Sequence, residues 1–136
     1  MRCIPTLSVA AVVALGPVTA AAATASAADA HTHCPTGALV LPHDANTRAA
    51  RAARTQAARW YPGVKTKGAK VVSAKLARAA GPRGVQVGLE CGSRARARTV
   101  VVELRFPRMA PSASLSQGVV DVSRFTDGYR VWAVAH

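Results

Sequence analysis

From Asp44 onward the apolar positions fall at helical spacing. At 100° per residue Ala49, Ala53, Ala57 and Trp60 lie on one face, while Arg48, Arg51, Arg54 and Arg59 spread over the other. Asp44 or Asn46 can cap this helix, and Pro62-Gly63 ends it. A stripe of alanines lets a helix lie close to a sheet, with Trp60 adding most of the buried area at its C-terminal end. Further along, the period changes to two. Val71 to Leu76, Val85 to Cys91, Thr99 to Phe106, Gly118 to Phe125 and Tyr129 to Val134 are rich in Val and aromatics and are separated by Gly, Pro and Ser clusters. Alternation places Val85, Val87, Leu89 and Cys91 on one face, and Val100, Val102, Leu104 and Phe106 on one face, as the expected core. Asp127-Gly128 suits a tight hairpin turn, which predicts that Phe125, Tyr129 and Trp132 share a neighbourhood. The expected fold is α+β: one N-terminal amphipathic helix packed on a four- to five-stranded antiparallel meander sheet.

Ahead of the helix, residues 28–43 carry no sustained period and read as an N-terminal arm, which leaves residues 44–136 as a single α+β domain. Residues 1–27 read as a signal peptide: Arg2, an Ala/Val/Leu run from Cys3 to Thr24, then the small residues Ala25-Ser26-Ala27. An uncleaved anchor is the alternative, but the run is mostly Ala, is broken by Pro17 and ends in cleavage-type residues, so no stable membrane insertion is expected after cleavage. Cys3 precedes the apolar run and is misplaced for lipid attachment. The expected location is therefore extracellular or in the cell envelope.

Removing that segment leaves two cysteines, Cys34 and Cys91, in an oxidising compartment, where a single disulfide is the economical pairing. The chain-entropy model gives such a bridge about 4 kcal/mol. Free thiols or an intermolecular pair are the alternatives.

The net charge of +12, with only six acidic residues, adds a second constraint. A field of this size attracts polyanions, for an exported protein an anionic cell-wall polymer or other polyanion; the alternative is arginine that merely solvates the surface. Arg94, Arg96 and Arg98 make the densest basic stretch, and strand spacing would align them on one face, with Arg48 and Arg51 in support. The aromatics read as core rather than as bases' stacking partners, so no specific nucleic acid is expected.

The segment Thr99 to Trp132, TVVVELRFPRMAPSASLSQGVVDVSRFTDGYRVW, with the preceding RWYPG, resembles the C-terminal part of small secreted actinobacterial proteins of unknown function. That resemblance implies export and names no activity, cofactor or partner. The layout, a helix on a curved antiparallel sheet with a terminal DGYRVW strand, is similar to cystatin-like and NTF2-like α+β folds. It implies a ligand pocket, for which Trp60, Tyr129 and Trp132 are the candidate lining.

Titratable chemistry is sparse. The histidines His31, His33 and His43 fall in the arm and His136 is the last residue, while Glu90, Glu103 and Asp121 sit on expected strands among arginines, where surface ion pairing is the expected role. Ser112, Ser114 and Ser116 lack a nucleophile-elbow context. No catalysis and no cofactor are expected. Cleavage after Ala28 or Ala30 would place His31 or His33 third from a free amine, a square-planar Cu(II) or Ni(II) motif, whereas cleavage after Ala27 abolishes it. Tetrahedral zinc on His31, His33, Cys34 and His43 would compete with the disulfide for Cys34. The segment Phe106 to Gln117 reads either as a hairpin connection or as an exposed loop presented to a protease or receptor. The sequence thus points to a secreted, non-catalytic binding or interaction module.

Overall fold

The computed structural model describes residues 33–111 and 116–135. The expected signal peptide, His31, Ser112, Ser114 and His136 lie outside the described residues.

Helix α1 spans Ala45–Trp60 and buries one stripe, Ala45, Ala49, Ala53 and Ala57. Asp44 stands at its start but caps no amide; its carboxylate instead accepts a bond from Arg48 at 2.5 Å. The chain leaves the helix through Tyr61 and turns at Gly63, whose φ of +80° favours glycine. Strand β1, Lys70–Leu76, then leads through a 3-10 turn at Ala77–Ala79 into helix α2, Gly81–Ala97. Strands β2 (Thr99–Arg105), β3 (Gln117–Phe125) and β4 (Gly128–Ala135) complete a sheet of order β1-β2-β3-β4, antiparallel throughout.

Register sorts the side chains into two faces. Leu76, Val100, Val122 and Val131 form one row across all four strands, and Ala74, Val102, Val120 and Val134 the next. These rows, with Leu104 and Phe106, meet the alanine stripe of α1 in the main core. Tyr61, not Trp60, supplies the buried aromatic at the end of α1: it is 2% exposed and meets Phe106 edge-on, ring centres 5.1 Å apart. Trp60 is half-buried at the margin of that core.

The opposite face carries Thr99, Val101, Asp121, Ser123 and Ala133 and is covered in part by α2 through a smaller cluster of Val87, Trp132, Ala133 and Cys91. The strand expected over Val85 to Cys91 is therefore part of a helix. Over seven residues, alternation and a 3.6 period are hard to separate, and the helix uses Gly84, Val87 and Ala95 as its buried positions, leaving Val85 and Leu89 exposed. Pro82 in the first turn and a Gln86-to-Glu90 side-chain bond of 2.7 Å both suit a helix. Gly92, with φ +84° and ψ 170°, interrupts it. The α+β class and the four-stranded antiparallel meander are as expected, and a second helix stands where a fifth strand was expected.

Cys34 and Cys91 form a disulfide, Cα atoms 5.4 Å apart, joining the segment before α1 to α2. The β3–β4 hairpin turns at Thr126-Asp127, and Gly128 takes the positive φ, +122°. A bulge opposite Asp121 and Val122 sends both Trp132 and Ala133 to the α2 side. Tyr129, three residues earlier, packs on the α1 side, so Tyr129 and Trp132 do not share the neighbourhood expected of them.

Candidate functional site

The helix that buries its alanines must turn its arginines outward. Arg51 and Arg54, one turn apart on α1, line a cleft of about 440 Å³ with Thr55 and Ala58. Its far wall is the turn Thr66–Ala69, closed by the Ala69 amide donating to the Thr66 carbonyl at 2.9 Å. Gly68 sits third in that turn with φ +83°, a position that favours glycine, and Lys67 before it adds a third cation to the cleft. Among the described residues no acid lines it. On the other flank of α1 a cleft of about 620 Å³ is lined by Asp44, Thr47, Arg48, Arg51, Ala52, Thr55, Gln56 and Tyr129. Arg51 and Thr55 border both clefts.

Ion pairing separates these cations. Three salt bridges join described residues: Arg48 with Asp44, Arg83 with Asp121, and Arg130 with Asp127 at 3.4 Å. Arg51, Arg54, Arg59 and Lys67 take part in none of them. Arg130 also lies over the Phe125 ring, 4.1 Å from its centre.

The basic patch expected of Arg94, Arg96, Arg98, Arg48 and Arg51 is not one surface. The first three lie at the C-terminal end of α2 and on the residue after it, on the sheet face away from α1. Arg98 is half-buried and donates to the Ala38 carbonyl. Arg96 is half-buried with its methylene stem against Gly88, leaving Arg94 as the exposed member. Arg94 and Arg98 border a smaller cleft, about 360 Å³, beside the Cys34–Cys91 bridge. A helix rotates successive residues by 100°, so the i, i+2, i+4 spacing that aligns side chains on a strand scatters them here.

The expected aromatic pocket is likewise divided. Tyr129 borders the 620 Å³ cleft, Trp60 packs on the margin of the α1 core, and Trp132 lies under α2 with its indole N–H donating to the Ser123 hydroxyl at 3.1 Å. Gln56 spans one margin of that cleft, donating to the Tyr129 carbonyl at 3.0 Å and accepting from the Val131 amide at 3.1 Å, which occupies the free edge of β4.

Asp121 overturns the expectation of a surface ion pair. Its side chain has no exposed area and bonds Arg83 of α2, itself only 14% exposed, while one carboxylate oxygen and the Arg83 Nε find no partner among the described residues. Burial outweighs the neighbouring guanidinium and raises the Asp121 carboxyl above its ordinary range. Beside it, Thr99 and Ser123 are paired across β2 and β3 and lie in hydrogen-bond contact at 3.1 Å. Sealed beneath α2, this polar row fastens the helix and meets no solute. Tyr61 closes the other side: its hydroxyl donates towards the Val119 and Ala135 carbonyls, and burial pushes its pKa up to about 12. Gly118 makes room for that ring, since a Cβ there would lie 2.4 Å from the tyrosine oxygen.

Among the described residues no group of three or more His, Cys, Asp and Glu side chains is placed to hold a metal ion, and the disulfide removes Cys34 from the zinc set. No helix among them is long and apolar enough to cross a membrane. Sequence reasoning missed Arg54 and Lys67 as site residues; the Lys67-Gly68 turn signal was the cue that a second wall faces α1. Comparison with family models, curated proteins and solved structures gave no match.

Proposed function

We propose that this protein is an exported, non-catalytic module that holds an anionic polymer against the arginine-bearing flank of α1. The observation that carries this is a set of cations there: Arg51, Arg54 and Lys67 line one open cleft and have, among the described residues, no acid to neutralise them. Such a cluster raises the local concentration of polyanions and favours contact with repeated negative charge. Export is supported by the charge, apolar run and small residues of the N-terminal segment together with the Cys34–Cys91 bridge, which belongs to an oxidising compartment. The occupant on this reading is an anionic cell-wall polymer or another extracellular polyanion.

Retention on immobilised anionic polymer at low salt tests the binding. The double change Arg51→Glu with Arg54→Glu should abolish most of it, whereas Arg94→Glu with Arg105→Glu, an equal change of charge away from α1, should keep most of it. Equal retention of all three proteins would refute the reading. Export is checked by the intact mass of protein recovered from the medium, with and without reduction before alkylation. A chain beginning near Ala28 and blocked to alkylation until reduced is expected; recovery only as the full-length chain in membranes would overturn it.

A further inference from the structure

We propose that the cleft between α1 and the Thr66–Ala69 turn is a subsite for one phosphoryl group of a phosphodiester polymer; this rests on the polyanion reading above. Three observations lead there. First, the cations reach the cleft from two walls: Arg51 and Arg54 from the helix, Lys67 from the turn. The tetrahedral phosphorus of a diester turns its two non-bridging oxygens outward from the chain, where donors on facing walls can share them, and arginine forks and a lysine point charge are both phosphate binders.

Second, the donors are uncommitted. Arg51, Arg54 and Lys67 make no ion pair or side-chain hydrogen bond among the described residues. In the turn, the amides of Thr66 and Ala69 are used internally, to Val64 and Thr66, but those of Lys67 and Gly68 donate to no described residue. Glycine at positive φ also allows an anion to approach the turn backbone closely. Third, the cleft is open, and Arg51 connects it across the outer ridge of α1 to the neighbouring cleft beside Tyr129. A chain bearing repeated phosphates can therefore seat one group between Arg54 and Lys67 and continue past Arg51, which a lone ion has no need to do.

The experiment is a titration of the isotope-labelled mature chain, followed by NMR at constant low ionic strength. Inorganic phosphate should move the Lys67 and Gly68 amides and the Arg51 and Arg54 Nε signals together and saturably. Acetate, with less charge and a flat pair of oxygens, should act about tenfold more weakly. A short thymidylate oligomer, serving only as a phosphodiester chain, should displace the phosphate from those same signals. Arg54→Gln with Lys67→Gln should weaken phosphate about tenfold, whereas Arg94→Gln with Arg105→Gln should leave it unchanged.

Shifts scattered over all the arginines, or equal losses in the two double variants, would overturn the subsite; the polyanion reading would survive if the oligomer were still bound. Displacement by a carboxylate polymer as readily as by the oligomer would overturn the preference for phosphoryl groups. Phosphate binding that the oligomer cannot displace would overturn the polymer as its source. Loss of both phosphate and oligomer binding in a folded wild-type chain would remove subsite and polyanion reading together.

Discussion

At the scale of single residues, the most exacting environment belongs to Asp121, whose carboxylate lies beneath α2 with Arg83 as its counter-charge. Replacing Arg83 by Met leaves a fully buried carboxylate without a cation, which costs about 3 kcal/mol at neutral pH. The sign of the pH dependence follows from the raised Asp121 pKa. A raised folded-state value means the stabilising contribution of the protonated group is complete below the ordinary carboxylate range and is lost as pH rises through the folded value. Arg83 opposes that rise, so Arg83→Met raises the Asp121 pKa further; the variant should lie closest to wild type in acid and fall furthest behind near pH 7, measured by urea unfolding across that range. A constant difference at every pH would show that Arg83 acts by packing alone. Little of this was legible in the sequence: VVDVSRF marks Asp121 as a polar residue in a strand, but its counter-ion, 38 positions away, becomes a neighbour only once α2 has folded over the sheet.

At the scale of elements, the alanine stripe was legible in α1 because its period persists over sixteen residues with a Pro-Gly stop behind it. The strands β2, β3 and β4 were legible for the same reason, Val-rich alternation sustained between turn residues. Helix α2 was not, since Val85, Val87, Leu89 and Cys91 mimic a strand and the glycines at 81, 84, 88 and 92 weaken every helical cue. Two of those glycines now make opposite predictions. A Cβ at Gly84 would lie 1.6 Å from the backbone oxygen of Ala77, so Gly84→Ala must lift α2 off the 3-10 turn and should cost about 3 kcal/mol. A Cβ at Gly88 would meet only the Arg96 side chain, at 3.0 Å, which can move, so Gly88→Ala should change stability by less than about 1 kcal/mol. Thermal or urea melts of the two variants separate them, and equal destabilisation would contradict the helical docking of this segment. The strand reading would have required the same face for Val85 and Val87; their opposite burial follows directly from the helix.

At the scale of the whole molecule, the sheet separates two uses of charge. The α2 side buries Arg83 with Asp121 and Thr99 with Ser123 and leaves Arg94 and Arg105 exposed outside the α1 clefts, while the α1 side gathers Arg51, Arg54 and Lys67, without an ion pair among the described residues, around one cleft. Net charge alone predicted attraction to polyanions but could not say where, because the densest arginine run sits on the tail of α2 and half-buries two of its three members. Location came from tertiary structure, which sets a turn against a helix flank. The most direct measurement of that arrangement is the association constant with a single-stranded phosphodiester oligomer as a function of salt. A plot of log K against log salt should be linear with a negative slope, and replacing Arg51, Arg54 and Lys67 by Gln should reduce its magnitude by about 1.4, near 0.7 each for the phosphate seated in the cleft and the one passing Arg51. Arg94→Gln with Arg105→Gln should leave the slope unchanged. Identical slopes for all three proteins, or affinity indifferent to salt, would contradict the assignment of polyanion binding to the α1 flank.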